Sequence, residues 1–314
     1  ITASHAEAAG VPYCIDDGEE WFWAKHALTM GYTQAERRRL IDVIMERYSE
    51  LFGLYPRVVS MWMIDSFSAD YMSRKYGIKA VGLCRNQYGI DGYTLWGGWN
   101  NLLYWPSRKY IWQPASSLEG KGDFIIYPVI TEDTLINYGN EKGIWSTEVS
   151  MMQLQNLSAD HVISYIRQLT EHTLQNGFPV SLVSLVVENS WDWGQLAEAY
   201  ERQASHLAAL HRQQVARVVT VSEIAGTYTQ TYPDLSPAQI WYQPAGIKNP
   251  LLDSACITVC TRRYRARMRT DYDGTGLKMT DLRVYDEDET DPYWEEVSQG
   301  RFASWIIPFL LDGS

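Results

Sequence analysis

Short apolar runs alternate with amphipathic helical segments through the first three quarters of the chain, and this alternation restricts the fold more than any other feature. Several runs are apolar on both faces, which is typical of parallel strands covered by helices. The predicted helices follow Thr33, start near Ser68, follow Ser158 and cover about 194–214, the first from a T-x-x-E capping box. The predicted strands are 11–15, 57–64, 79–84, 123–130, 180–187 and 217–222.

Strands that alternate with helices indicate an α/β fold, either a barrel or a doubly wound sheet. A complete eight-stranded β/α barrel needs about 250 residues. Six strands before residue 225 therefore predict an incomplete or distorted β/α barrel of about seven strands, or a first strand upstream of Ile1.

The rhythm changes after Pro237. Segments 255–270, 276–286 and 303–311 resemble strands without helices between them, and DYDGTG resembles a hairpin turn. We expect a barrel domain over 1–235, with part of its N-terminus missing, and a small β-rich module over 236–314. The acidic segment 287–296 is interpreted as a solvated edge.

Charge and motifs exclude several functions. Lysine and arginine total 27 against 38 acidic residues, a net charge of −11, which argues against nucleic acid or an anionic membrane as partner. No apolar run reaches the ~18 residues of a membrane span. Nucleotide-binding fingerprints, a nucleophile elbow and zinc-site cysteine spacing are missing, so no cofactor is expected.

The beginning of the chain resembles the tail of a helix. We expect the numbering to begin after a leader or inside a longer protein. The compartment is left open, with the periplasm or the cell exterior as the expectation for an aromatic-rich sugar enzyme. The oligomeric state is also left open.

Acidic residues follow nearly every predicted strand. In parallel α/β folds the carboxyl ends of the strands meet at one edge, where ligands bind. These residues should therefore face a common mouth: Asp16, Asp17, Asp65, Asp91, Glu132, Asp133, Glu188, Asp192 and Glu223.

One loop combines polar and aromatic side chains after the third strand. It carries Arg85, Asn86, Gln87, Asp91, Trp96 and Trp99. The chain has 13 tryptophans and 21 tyrosines, many in predicted loops. Flat rings with a polar edge suit the C–H faces of sugars, although such rings also pack loops against a core. Together these side chains favour a polar, sugar-like ligand.

Each acidic position has a structural alternative. Burial after an apolar run would raise the pKa of Glu188 and suit a general acid, but a capping or ion-paired role fits equally. Asp65 before Ser66 is also a common helix cap. Only one of Asp16 and Asp17 can face a cavity. Arg85 could bind a carboxylate or orient Asp65, and Glu223 is expected to start a helix.

Three segments resemble the glycoside hydrolase/deacetylase β/α-barrel superfamily, which includes polysaccharide deacetylases: AEAAGVPYCIDD, HALTMGYTQAERRRLIDVIMERYSELFGLYPRVV and SADYMSRKYGIKAVGLC. The resemblance covers roughly residues 6–225 as an order of features. Within that superfamily, MWMIDSFSADYMSRKYGIKAVGLCRNQYGIDGYTLWGGW closely resembles a bacterial branch with a β module behind the barrel. That branch has no established substrate.

The chain departs from the deacetylase pattern at the metal ligands. The resemblance implies a histidine pair, but Met30 stands where the second histidine would follow His26. The family's R-x-P-x-G motif is replaced by MWMIDS, around Trp62 and Asp65. Its first Asp-Asp motif would lie upstream of Ile1. These departures favour a metal-independent carboxylate mechanism.

The sequence therefore predicts a carbohydrate-active enzyme, a glycoside hydrolase acting on a poly- or oligosaccharide. Glu188 and Asp65 are the expected catalytic pair, with Asp17 or Asp192 as substitutes. Predicted substrate-binding residues are Arg85, Asn86, Gln87, Asp91, Trp21, Trp62, Trp96 and Trp99. The alternatives are a metal-dependent deacetylase using Asp17 and His26, or a non-catalytic glycan-binding protein.

Overall fold

The computed structural model describes residues 2–13, 29–61, 64–83, 98–134, 147–150, 156–185, 187, 192–244, 254–270 and 276–298, and the backbone of 311–312. Its elements form an α/β fold with two sheets. The first sheet is parallel and has three strands, in the order β1 (Val58–Met61), β2 (Ala80–Leu83) and β3 (Ile125–Pro128). In the register, Ala80 lies beside Val58 and Ile125.

Six α-helices are described, and local signals define most of their ends. They are α1 (Ala3–Ala9), α2 (Gln34–Phe52), α3 (Ser66–Tyr76), α4 (Ala159–Gln175), α5 (Trp193–Arg212) and α6 (Val221–Thr231). The predicted capping box of Thr33 and Glu36 is confirmed at the start of α2. Gly53 and Gly77 end α2 and α3 in the left-handed conformation that glycine adopts without a Cβ clash.

Two predicted strands differ from the structure. The strand prediction for 217–222 is wrong, because Thr220 caps α6 and Val221 is its first residue. Residues 180–185 also form no strand. Ser184, in the middle of this segment, makes no strand-to-strand backbone hydrogen bonds of a sheet within the described part of the chain. Its backbone N–H donates to Thr131 Oγ1 (2.9 Å), and its hydroxyl donates to the carbonyl of Pro128. Residues 11–13, from the first predicted strand, are likewise outside any strand.

The second sheet is antiparallel and contains β4 (Gln239–Gln243), β5 (Cys256–Cys260), β6 (Tyr264–Thr270), β7 (Leu277–Val284) and β8 (Leu311–Asp312), in that order. The register of β6 against β7 shifts between Arg267 and Met268. We call these five strands the C-terminal sheet. They agree with the β-rich character predicted for this part of the chain.

The C-terminal sheet packs on the rest of the fold through one hydrophobic core. Trp241, Cys260 and Tyr285 belong to the same buried cluster as Val81 and Ile126 of the parallel sheet. In the part of the chain that the structure describes, no helix is both long and apolar enough to cross a bilayer.

Candidate functional site

The C-terminal sheet lies against the carboxyl edge of the parallel sheet. Residue 98 begins the described chain that follows β2, and the carbonyl of Gly98 accepts a hydrogen bond from Arg265 Nη1 at 2.6 Å. The indole N–H of Trp99 donates to the carbonyl of Thr261 at 3.1 Å. Beyond β3, Asp133 and Thr134 bond Gln243 of β4. The edge where ligands bind in parallel α/β folds is therefore lined by a face of the second sheet.

Asp133 is the centre of a buried hydrogen-bond network at this edge. The hydroxyl of Tyr165 donates to Asp133 Oδ2 at 2.9 Å, and Gln243 Nε2 donates to Oδ1 at 2.8 Å. Gln243 Oε1 in turn accepts from the hydroxyl of Thr134 at 2.7 Å. Burial, and then the charge of Asp133, hold the pKa of Tyr165 well above its usual value. Tyr165 therefore stays a proton donor to the carboxylate.

Glu132 is fully buried beside this network, and Asn101 holds its backbone from both sides. The Glu132 N–H donates to Asn101 Oδ1 at 2.9 Å, and Asn101 Nδ2 donates to the Glu132 carbonyl at 2.7 Å. Asn101 has φ of 53°, a left-handed conformation that asparagine tolerates better than most residues. The two hydrogen bonds from the Asn101 side chain fix the backbone of Glu132 and so position its carboxylate at the carboxyl edge.

The C-terminal sheet contributes three buried arginines around one aspartate. Asp281 accepts from Arg265 Nε at 2.6 Å and from Arg283 Nε at 3.1 Å, and all three side chains are inaccessible to solvent. Arg267 is also buried, and its Nε donates to the hydroxyl of Thr258 at 3.3 Å. Burial acts to raise the pKa of Asp281, but the charges of Arg265, Arg283 and Arg267 outweigh it and lower the pKa to about 2. Asp281 is therefore ionised at any physiological pH.

Two buried cysteines on the same face are unsuited to nucleophilic chemistry. Burial raises the pKa of Cys256, and it raises that of Cys260 to about 12. Both thiols therefore stay protonated near neutral pH.

Asp65 has a complete structural role in the fold. It is the N-cap of α3, where Oδ1 accepts from the Ser68 N–H at 2.8 Å. The same oxygen accepts from Arg37 Nη1 at 3.0 Å, and Oδ2 accepts from Thr29 at 2.5 Å. The carboxylate is buried and bonded on both oxygens. The helix-cap alternative therefore describes this residue, and a catalytic role for it stays a prediction that the geometry does not favour.

The other predicted site residues divide into two groups. Asp192 is exposed and caps α5, where its Oδ1 accepts from Gly194 at 3.0 Å. Trp99 is only 2% exposed and packs on Tyr104 as part of the hydrophobic core, so the structure shows a packing role for its ring. Outside the described residues lie Asp17, Trp21, His26, Trp62, Arg85, Asn86, Gln87, Asp91, Trp96 and Glu188.

The predictions missed most of the polar residues that line this edge. Arg265, Arg267, Asp281 and Arg283 lie in segments predicted as strands, and Gln243 lies in a strand that was not predicted. A signal was present, because charged residues alternate with apolar ones in YRARMRT. Alternation alone cannot say which set is buried, and charged side chains are normally assigned to solvent.

The described residues do not fit a divalent metal. They contain no group of three histidine, cysteine, aspartate or glutamate side chains able to hold one. Met30, at the position implied for the second metal histidine, is fully buried in the hydrophobic core. A thioether is a poor ligand for the borderline or hard divalent cations that such sites use.

No family model matches this chain, and neither does any curated protein. Among solved structures, the fold is similar to that of a "putative glycoside hydrolase/deacetylase" from Parabacteroides distasonis, with a TM-score of 0.70. The alignment covers 90% of this chain and 69% of the other, at 12% sequence identity. The chain therefore shares its fold with a protein described as a "putative glycoside hydrolase/deacetylase", the superfamily that the sequence segments resemble.

Proposed function

We propose that this protein is a carbohydrate-active hydrolase, and specifically a glycoside hydrolase that uses paired carboxylates without a metal. The observation that carries the proposal is the gathering of Glu132, Asp133 and a buried arginine cluster at the carboxyl edge of the parallel sheet. The shared fold with a protein described as a glycoside hydrolase/deacetylase supports the same class. Poly- or oligosaccharides are the proposed substrates.

The proposed chemistry needs one carboxylic acid and one carboxylate. The acid protonates the leaving oxygen, and the carboxylate acts as base or nucleophile. We keep Glu188 as the acid, because it follows the apolar run 180–187, in which Ser184 bonds Thr131 and the carbonyl of Pro128 at the end of β3. We assign the second role to Glu132 rather than Asp65, since Asp65 is bonded on both oxygens by a helix start, an arginine and a threonine. Asp133 and Tyr165 are positioning residues.

Substrate contacts are proposed for side chains around the same edge. They are Arg85, Asn86, Gln87 and Asp91, with the rings of Trp21, Trp62 and Trp96 as stacking surfaces. We further propose that the parallel sheet belongs to an incomplete β/α barrel over 1–235 and that 236–314 is its β-rich module. No cofactor is needed for this chemistry.

The test is hydrolysis of a panel of aryl glycosides and acetylated sugars by the wild type and by Glu132→Gln and Glu188→Gln. Each substitution should lower the rate by about 10²–10⁴-fold, the usual contribution of acid–base catalysis. Asp160→Asn is the matched control, because that carboxylate is exposed and pairs with Arg202 at the surface. Full activity in both glutamine variants would disprove the assignment.

A non-catalytic glycan-binding protein is the second candidate, and the capping roles of Asp65 and Asp192 favour it. Glycan binding without turnover on any substrate would establish it. Release of acetate that stops on chelation would instead identify a metal-dependent deacetylase using Asp17 and His26.

A further inference from the structure

The outer face of the C-terminal sheet is apolar and exposed. Side chains on the two faces of a sheet alternate, and the strand register shows which residues share a face. One row across four strands consists of Tyr242, Ile257, Met268 and Met279. The large apolar residues of this face that are at least 38% exposed are Ile240, Tyr242, Ile257, Tyr264, Leu277, Met279 and Val284.

In this sheet the charged residues lie on the inner face and the apolar residues on the outer face, which is the reverse of the usual arrangement. The inner face carries Arg265, Arg267, Asp281 and Arg283, all nearly inaccessible to solvent. An antiparallel sheet with one solvated face normally places its polar residues outside. The outer face is therefore suited to contact with another apolar surface rather than with water.

The size of the face matches a protein interface. Its seven most exposed apolar residues present roughly 700–800 Å² in total, backbone and tyrosine hydroxyls included, so their apolar part reaches the upper end of the ~300–600 Å² of the largest apolar patch on a typical monomer. A standard interface buries about 800 Å² on each partner. The patch is thus large enough for one stable, specific contact.

The chemistry of the face disfavours a sugar as its occupant. Aliphatic side chains dominate, and only Tyr242 and Tyr264 among the exposed set offer rings, so a sugar would find few hydrogen bonds or stacking surfaces. The chain carries a net charge of −11, yet the outward-facing rows of β4 to β7 contain no carboxylate, because Val259, Ala266, Met268, Thr270 and Leu282 are the other residues of this face. Two copies can therefore approach through this face without apposing carboxylates at its centre.

We propose that the outer face of the C-terminal sheet is the interface of a homodimer, formed by two of these sheets packed face to face. Packed sheets lie about 10 Å apart with their side chains interdigitated, and apolar residues dominate homodimer interfaces. The proposal is independent of the hydrolase assignment, because the face points away from the candidate site.

The test is sedimentation velocity of the full chain from about 0.1 to 100 µM, a range that brackets micromolar affinity. The wild type should reach twice the 36.1 kDa chain mass. Ile257→Lys, at the centre of the face, should raise the dissociation constant at least tenfold. Leu51→Lys is the matched control, because Leu51 is a 60% exposed apolar residue at the end of α2 and should leave the dimer intact. Circular dichroism checks that each variant is folded.

Oxidation of Met279 by hydrogen peroxide provides a second readout that needs no substitution. Met279 is 46% exposed, so its oxidation should slow as concentration promotes the dimer. A wild type that stays monomeric throughout the range would overturn the proposal. So would a dimer that survives Ile257→Lys with Met279 unprotected, or a monomer that binds phosphatidylcholine vesicles through this face.

Discussion

The two sheets of this protein differ in which side chains they bury. In the parallel sheet, β2 and β3 are buried apolar strands throughout. In the C-terminal sheet, charged residues are buried on one face while isoleucine, leucine and methionine are exposed on the other. The parallel sheet thus obeys ordinary hydrophobic burial, whereas the C-terminal sheet covers a polar edge and presents an apolar surface.

The difference shows that a strand's hydropathy does not decide its buried face. Burying charge is costly unless each group is paired and hydrogen-bonded. Asp281 meets this condition by bonding two arginines at once, and Arg265 also bonds the Gly98 carbonyl. The inner face is stabilised because Asp281 pairs with Arg265 and Arg283. The parallel sheet needs only close packing.

Removing the central charge of the inner face should have the largest effect. Asp281→Asn leaves buried arginines without their shared counter-charge, and the expected loss is about 3–5 kcal/mol of unfolding free energy. Urea denaturation measures it. Asp160→Asn is the control, because that carboxylate pairs with Arg202 at the exposed surface and its loss should be undetectable. Equal stability of the two variants would contradict a paired, buried network.

A second buried aspartate should respond to pH in the opposite direction from Asp281. Burial, and then the charge of Asp65, raise the pKa of Asp291 to about 6 from its usual value of 3.8. A raised pKa stabilises the fold when the group is protonated, below the unfolded value, and this stability is lost as pH rises through about 6.

The wild type should therefore lose on the order of 2–3 kcal/mol between pH 4 and pH 7 relative to Asp291→Asn, which cannot ionise. Urea denaturation at both pH values gives the comparison. The variant is expected to be less stable at each pH, because the Asp291 carboxylate accepts from the backbone and hydroxyl of Ser66. Parallel pH profiles for the two proteins would refute the shift.

Overpacking the parallel sheet should have a smaller effect. A Cβ on Gly82 would lie 2.5 Å from Val129 Cγ2 and 2.8 Å from the Tyr127 ring. Gly82→Ala should cost about 1–3 kcal/mol in thermal or urea unfolding. Gly226→Ala is the matched control in α6, where a Cβ meets nothing within 4 Å, and it should stabilise by about 0.5–1 kcal/mol. If Gly82→Ala were as well tolerated as Gly226→Ala, the packing around β2 would be looser than the distances to Val129 and Tyr127 indicate.

The outer face should contribute least to the stability of the single chain. Ile240 is 57% exposed, and Ile240→Thr keeps the β-branched shape. The expected change is within about 0.5 kcal/mol when unfolding is measured on dilute, monomeric protein. Trp241→Leu changes the adjacent inner-face residue, which is 1% exposed, and should clearly destabilise. A larger loss from Ile240 than from Trp241 would reverse the assignment of the two faces.

Helices and the carboxyl-edge carboxylates were the parts of this protein most accessible from sequence. The capping box of Thr33 and Glu36 is present in the structure, as is a helix near Glu223, which begins at Val221 with Thr220 as its cap. The strands at 58–61, 80–83 and 125–128 also fall within predicted runs. The strand prediction at 217–222 failed because that run overlaps the first turn of α6.

The sequence alone determined the alternation of helices with apolar strands, the β-rich end of the chain and the position of Glu132 and Asp133 after β3. These features depend on neighbours a few residues apart. Tertiary structure alone decided that Asp65 caps a helix against Arg37, and that the arginines of β6 and β7 face inward. Both outcomes depend on groups far apart along the chain, because a buried charge is tolerated only where distant partners complete its hydrogen bonds.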